Sequence, residues 1–101
     1  MKQQPLESTI SNGIIKAINK IDGCLVHKFH GTAFGHKEVD IYGCCRGRAV
    51  FIETKRDGNP PTQIQEAIME KWKSCGALTG VAHNVSEAMD IIAPALGGGN
   101  A

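Results

Sequence analysis

The apolar positions of this chain change period along its length, and each change marks a boundary. Between residues 5 and 21, Leu6, Ile10, Ile14, Ala17, Ile18 and Ile21 recur every three or four positions, which predicts a first helix with one apolar stripe. Asp22-Gly23 is a turn signal, after which residues 24–30 alternate: Leu25, His27 and Phe29 fall on one face of a strand, Val26, Lys28 and His30 on the other. Residues 31–37 read as a loop. Residues 39–44 and 49–54 are rich in β-branched and aromatic side chains, and the polar Cys45-Arg46-Gly47-Arg48 between them supplies the turn of a β-hairpin. Residues 56–61 are dense in turn formers. Thr62-Gln63-Ile64-Gln65 then has the form of a capping box, opening a second helix whose stripe is Ile64, Ala67, Ile68, Trp72 and Cys75 and which Gly76 closes. Residues 78–83 predict a fourth strand, and Ser86 caps a third helix that runs through Ile92 until Pro94 stops it. The order αβββαβα predicts an α/β fold, a mixed sheet flanked by helices.

The hairpin carries charge where a strand pair does not want it. With the turn centred on Arg46-Gly47, Cys44 pairs with Ala49, Tyr42 with Phe51, and Asp40 lands opposite Glu53. Opposed residues on one face have Cβ atoms about 4.5–5.5 Å apart, and like charges so placed destabilise the pair. Positive charge must lie between them. Lys55, two residues beyond Glu53 on the same face, is one such group. The oxygen-only set of two carboxylates also suits a hard divalent cation such as Mg²⁺. A slip of one residue in register would separate the acids onto opposite faces.

Two helical residues bear on the same site. Glu7 falls on the wheel between Ile14 and Ile18, and a buried carboxylate needs a partner. It is either a third acid near the cation or a wet first-turn acid favoured by the helix dipole. Gln65 lies at the edge of its stripe, with Met69 and Trp72 following at i+4 and i+7, and either caps the helix or leans into the cleft. Trp72 reads as core rather than as a base-stacking platform. The missing side chain of Gly13 leaves room for another element to approach.

Composition narrows the class without naming the chemistry. The 101 residues are 42% apolar and 21% charged, which predicts one globular domain over 1–96 with a flexible Gly-rich tail over 97–101. A net charge of +1 does not announce a nucleic-acid binder. The N-terminus has no apolar signal core and no run reaches membrane length, so a cytoplasmic protein is expected. Cys24, Cys44, Cys45 and Cys75 lack zinc-knuckle spacing and read as buried free thiols, while His27, His30, His36 and His83 read as solvated or core-edge.

Asp40 followed at a distance by Glu53-Thr54-Lys55 resembles the D…ExK signature of the PD-(D/E)xK nucleases. With Glu7 in the first helix, Thr62-x-x-Gln65 opening the second and Gly76 beyond it, the order and approximate spacing are similar to those of the VRR-NUC family, over nearly the whole chain from Glu7 to about Ile92. The resemblance implies a restriction-endonuclease-like PD-(D/E)xK core and hydrolysis of DNA dependent on a divalent metal. For a small standalone member it implies a homodimer acting on branched DNA such as four-way (Holliday) junctions, in a bacterial or phage-infected cell. It assigns Asp40 and Glu53 as metal-binding acids, the Thr54 backbone carbonyl as a further ligand and Lys55 as the catalytic lysine. Glu7 and Gln65 correspond to the helix-borne acid and glutamine, Glu7 reaching the first ion through water or a second ion directly. Val39 stands where many members carry proline, and Glu38 adds an acid nearby; position 39 donates no ligand atom.

Mg²⁺ is the expected ion, with Mn²⁺ able to substitute. Lys28, Lys37, Arg46, Arg48, Arg56, Lys71 and Lys73 are the candidates for neutralising phosphates, and His30 and His36 lie in or beside the loop that leads to Asp40. With no visible apparatus for reading bases, recognition of DNA shape is expected. The alternatives are a flap or single-strand nuclease of a replication or recombination assembly, and a catalytically silent DNA-binding module.

Overall fold

The computed structural model describes residues 6–30, 39–56 and 58–97. Its elements are α1 (Glu7–Asn19), β1 (Cys24–Lys28), β2 (Ile41–Cys45), β3 (Arg48–Thr54), α2 (Gln63–Ser74), β4 (Leu78–Ala82) and α3 (Val85–Ile92), followed by a short 3-10 turn at Ala93–Leu96. The sheet order is β1-β2-β3-β4. The first three strands form an antiparallel meander, and β4 lies parallel to β3. A parallel neighbour requires a crossover, and α2 is that crossover.

The hairpin takes the register expected of it: Ile41 pairs with Ile52, Tyr42 with Phe51 and Cys44 with Ala49. Arg46 (φ 49°) and Gly47 (φ 89°) both adopt the left-handed region at the turn, as a two-residue type I′ loop demands to match the twist of its strands. Alternation then sorts the sheet into faces. Val26, Ile41, Cys45, Val50, Ile52, Leu78 and Ala82 are buried in one core with Ile10, Ile14 and Ile18 of α1 and Ala88 and Ile92 of α3. Two glycines tighten this packing. A Cβ on Gly43 would overlap the Leu25 carbonyl and Val26 backbone, and one on Gly80 would press on Ile91 at 2.7 Å. The space expected at Gly13 is approached by Val85, whose Cγ2 would lie 3.9 Å from an added Cβ.

The free edge of β1 is closed by α1. Asn19 accepts the Val26 N–H (2.8 Å) and donates to the Val26 carbonyl (3.0 Å), satisfying groups that an edge strand otherwise leaves open. Among the described residues, the opposite face of the sheet is covered by α2 on the β3–β4 side, where Thr79 Oγ1 donates to the Met69 carbonyl (3.4 Å) and Trp72 stacks on Phe51.

Several expectations are corrected. The helix α2 does not bury the stripe read from its sequence: Ile64 is 74% exposed, Ala67, Trp72 and Cys75 are exposed, and Met69 is the buried residue. The Gln65–Met69 line faces inward instead, because polar Gln65 has a buried partner. The cap of α3 is Asn84, which accepts the Glu87 N–H at 2.8 Å, and Ser86 lies inside the helix. Pro94 enters the 3-10 turn rather than ending α3 abruptly. Cys24 and Cys45 are buried free thiols as expected, but Cys44 and Cys75 are exposed. Leu6 is 64% exposed, outside the stripe of α1. The expected tail lies outside the described residues from 98 onward.

Candidate active site

The ladder of β2 with β3 runs to Ile41 and Ile52, so Asp40 precedes its last rung and Glu53 follows it, where the strands end. Both acids are buried, Asp40 at 6% exposure and Glu53 at 4%, and Thr54 is fully buried. Two adjacent carboxylates out of water need donors, and each has its own set.

Asp40 is held from β3. Its Oδ2 accepts the Thr54 N–H (2.9 Å) and the Thr54 hydroxyl (2.7 Å), so the carboxylate takes the place that a backbone carbonyl would occupy if the ladder continued. The Thr54 hydroxyl has one proton and gives it to Asp40, so the 2.8 Å contact between Ser11 Oγ and Thr54 Oγ1 has Ser11 as its donor. Ser11 is 2% exposed, inside the apolar stripe of α1. On the other flank, the Asp40 carbonyl accepts the Phe29 N–H at 2.7 Å, tying the site to the end of β1.

Glu53 is held from α2. Gln65 Nε2 donates to Glu53 Oε2 at 2.6 Å, and Lys55 Nζ lies 3.7 Å from the same oxygen. The open choice for Gln65 resolves as both alternatives at once. While its amide N–H₂ reaches Glu53, its Oε1 accepts the Thr62 N–H (2.9 Å) and its own N–H donates to Thr62 Oγ1 (3.1 Å). The first turn of α2 and the orientation of Glu53 are therefore one structure. The Lys55 N–H donates to the Ala82 carbonyl (3.1 Å), which keeps β3 in register with β4 beyond its last rung.

Glu7 lies at the same end of the sheet. Along α1, Asn19 is tied at the level of Val26 and Ser11 at the level of Thr54. Glu7 is one turn further on in that direction, about 5–6 Å from Ser11 between Cβ atoms on the same helix face. It is half-buried. Among the described residues, no three His, Cys, Asp or Glu side chains converge as metal ligands. Two carboxylates and a carbonyl nevertheless suit a hard divalent cation of the kind that keeps several waters and uses one or two protein acids. Asp40, Glu53 and the Thr54 carbonyl are the residues that would hold it.

The basic candidates separate by position. Lys28 and Arg56 flank the acid end of the sheet. Arg46 and Arg48 sit at the hairpin turn at its far end, where Arg46 Nε donates to the Asp22 carbonyl (3.1 Å) and Arg48 donates to the Gly76 carbonyl (2.9 and 3.3 Å). Their hydrogen bonds staple turns together. Lys71 and Lys73 are exposed on α2, and Lys37, Glu38 and His36 lie outside the described residues. Of the other histidines, His27 and His30 are exposed. His83 is core-edge, its Nδ1 and backbone N–H each 2.8 Å from Glu87 Oε1 and its Nε2 3.4 Å from the Asn59 carbonyl. The backbone and ring hydrogen bonds from His83 hold the Glu87 carboxyl below its usual range.

A solved structure described as "VRR_NUC domain" superimposes on this chain with a TM-score of 0.68 at 21% sequence identity, over 86% of this chain and 94% of that one. This is the VRR_NUC fold. No family model and no curated protein matches the sequence. Within the VRR_NUC fold seen here, the mixed four-stranded sheet and its helices bring Asp40, Glu53, Lys55 and Gln65 together, with Glu7 on the adjoining helix. No helix among the described residues is long and apolar enough to cross a membrane. Sequence reasoning missed Ser11 and the hydroxyl of Thr54 as site groups. A serine within the isoleucine stripe of α1 was the available signal, since a buried hydroxyl needs a partner.

Proposed function

We propose that this chain is a VRR-NUC family nuclease, a divalent-metal-dependent DNA endonuclease that hydrolyses phosphodiesters in branched DNA such as four-way junctions and works as a homodimer. The observation that carries the reading is the buried pair Asp40 and Glu53 at the ends of β2 and β3, with Lys55 Nζ 3.7 Å from Glu53, on a VRR_NUC fold. Burying two acids side by side is costly unless cations complete the cluster.

The chemistry that Mg²⁺ or Mn²⁺ supplies when bound at such a site is acidification of a water and polarisation of a phosphoryl oxygen. The chain's own groups do the rest. Thr54 holds one oxygen of Asp40 through two hydrogen bonds, and Gln65 holds one of Glu53, so both acids keep their orientation without substrate. Lys55, a compact charge on a flexible stem, orients the attacking water or offsets charge on the pentacovalent phosphorus. Glu7 acts from α1 through a water or at a second ion. Lys28, Arg56, Lys71 and Lys73 contact phosphates, and affinity falls as salt rises. A branched substrate with two strands to cut is matched by the paired, symmetry-related sites of a dimer.

The test is cleavage of labelled four-way junction and matched linear duplex with Mg²⁺, Mn²⁺ or EDTA, comparing wild type with Asp40→Ala and Lys55→Ala. Metal-dependent cutting that prefers the junction and disappears in both variants is expected. Binding without cutting under every metal would overturn the enzyme and leave a DNA-binding module; equal cutting of both substrates would overturn the junction preference.

A further inference from the structure

Among the described residues, the sheet face that carries Glu53 and Lys55 is covered over about half its width. On β3, Phe51, Glu53 and Lys55 alternate onto the face met by α2. Registered partners share a face, so Tyr42, opposite Phe51, and His27, opposite Tyr42, extend the Phe51 rung across the sheet. The rung is aromatic from β1 to β3, and Thr79 of β4 completes it. His27 and Tyr42 have ring centroids 6.2 Å apart, and Phe29 meets Tyr42 edge-on at 5.6 Å. At the other end Trp72 of α2 lies on Phe51 at 4.4 Å with planes 30° apart.

These rings are not used up by the core. Tyr42 is 40% exposed and Trp72 39%, His27 is exposed, and Phe29 and Phe51 are half-buried. The expectation that Trp72 is core is therefore wrong for much of its surface. Trp72 also lines a cavity of about 340 Å³ with Ile68, Lys71 and Cys75, positions that share one stripe of α2. The rung stands two residues, about 7 Å, from Glu53 along β3. Ring faces, a nearby ammonium from Lys71, and Lys55 beyond Glu53 together match a ligand that alternates flat apolar rings with phosphates.

We propose that His27, Tyr42, Phe51 and Trp72, with the Lys71-lined cavity beside them, form a stacking platform for unpaired bases of the DNA strand whose phosphate is processed at Glu53 and Lys55. This rests on the nuclease reading for its choice of DNA and, among branched substrates, favours those with unpaired nucleotides next to the cut over a fully paired four-way junction. Paired bases keep their faces within the duplex stack and cannot use such a platform. Stacking accepts every base, so the platform is tolerant of sequence.

Trp72 is the chain's one tryptophan, so its fluorescence reports the platform directly. Wild type is titrated in EDTA with oligothymidylate and with an abasic oligomer of equal length, which isolates binding from cutting. Quenching by oligothymidylate and much weaker binding of the abasic oligomer are expected. Base stacking on an aromatic side chain is worth about 1–3 kcal/mol by alanine substitution, so Tyr42→Ala should weaken oligothymidylate binding about 5- to 150-fold. Tyr42→Phe should restore it, and neither should change abasic binding. His27→Ala, at an exposed position, gives the same reading if Tyr42→Ala does not fold, as judged by its melting curve. Equal affinity for the base-bearing and abasic oligomers would overturn the platform. So would a wild-type dimer that Leu25→Glu converts to monomer while oligothymidylate binding is unchanged, since a second copy would then occupy the face. Base-dependent binding by a protein that cuts no DNA with Mg²⁺ or Mn²⁺ would sink the nuclease reading and leave the platform standing.

Discussion

At the scale of single residues, the site depends on hydroxyl and amide groups as much as on acids. Thr54 gives both of its donors to one oxygen of Asp40, and Ser11 completes the hydroxyl's bonding from α1. Groups that orient a metal ligand typically contribute 10- to 100-fold to metal affinity. Thr54→Val, which keeps the shape and removes the hydroxyl, is expected to weaken Mn²⁺ binding by about that factor, while Thr54→Ser stays close to wild type; isothermal titration of the metal checks both. Gln65 has a double role that a second pair of variants separates. Thr62→Ala removes the cap acceptor and should cost about 1 kcal/mol of stability with cutting largely retained. Gln65→Leu should lose comparable stability and also cutting, because Glu53 loses its 2.6 Å donor. Equal activity losses in the two variants would show that Gln65 matters only as a cap.

At the scale of elements, the hairpin and its neighbours show which local rules held. The register followed from the Arg46-Gly47 turn because a type I′ loop leaves one pairing, and that pairing put Ile41 and Ile52 in the core together. The strand β2 also depends on a close approach that spacing does not reveal. Gly43→Ala would drive a methyl into the Leu25 carbonyl and Val26 backbone, and a loss of at least 1–3 kcal/mol is expected in urea unfolding, as for other overpacked cores. The helix α2 shows where the local rule failed. Its apolar residues Ile64, Ala67 and Cys75 point to solvent because Glu53, a charged residue on the sheet, selected the polar Gln65 as the inward contact. Periodicity weighs apolar area alone and has no term for a buried hydrogen bond.

At the scale of the whole molecule, burial divides the thiols and links stability to pH. Cys44 and Cys75 should react with a thiol reagent in the native state, and Cys24 and Cys45 only after unfolding. Burial, with the adjoining Cys24 thiol as the next cause, pushes the Cys45 thiol up from 9.0 to about 12. The folded state thus holds this proton more tightly than the unfolded chain does. Its contribution is fully present below pH 9 and is lost as pH rises toward about 12. Cys45→Ala should flatten that alkaline decline in a series of thermal melts, whatever it costs at neutral pH. Metal should act on the molecule as a whole: a site occupied at 100 times its Kd adds about 2.7 kcal/mol. Mg²⁺ or Mn²⁺ is therefore expected to raise Tm in wild type and to leave Asp40→Asn unmoved.

The amino-acid sequence by itself determined the order of elements, the hairpin register and the meeting of Asp40 with the Glu53–Lys55 end of β3. Each of these follows from local backbone preferences and from the strict alternation of a strand. It also marked Glu7 and Gln65 as residues out of place on their helices. Only the tertiary structure decided that Gln65 serves cap and acid together, that Ser11 and Thr54 secure Asp40, and that Arg46 and Arg48 bond to turn carbonyls far from the acids. The open aromatic face beside Trp72 belongs to that second group. Such features depend on which helix face meets which strand, a choice made by packing between segments distant in the chain, where a single buried polar partner outweighs an apolar stripe.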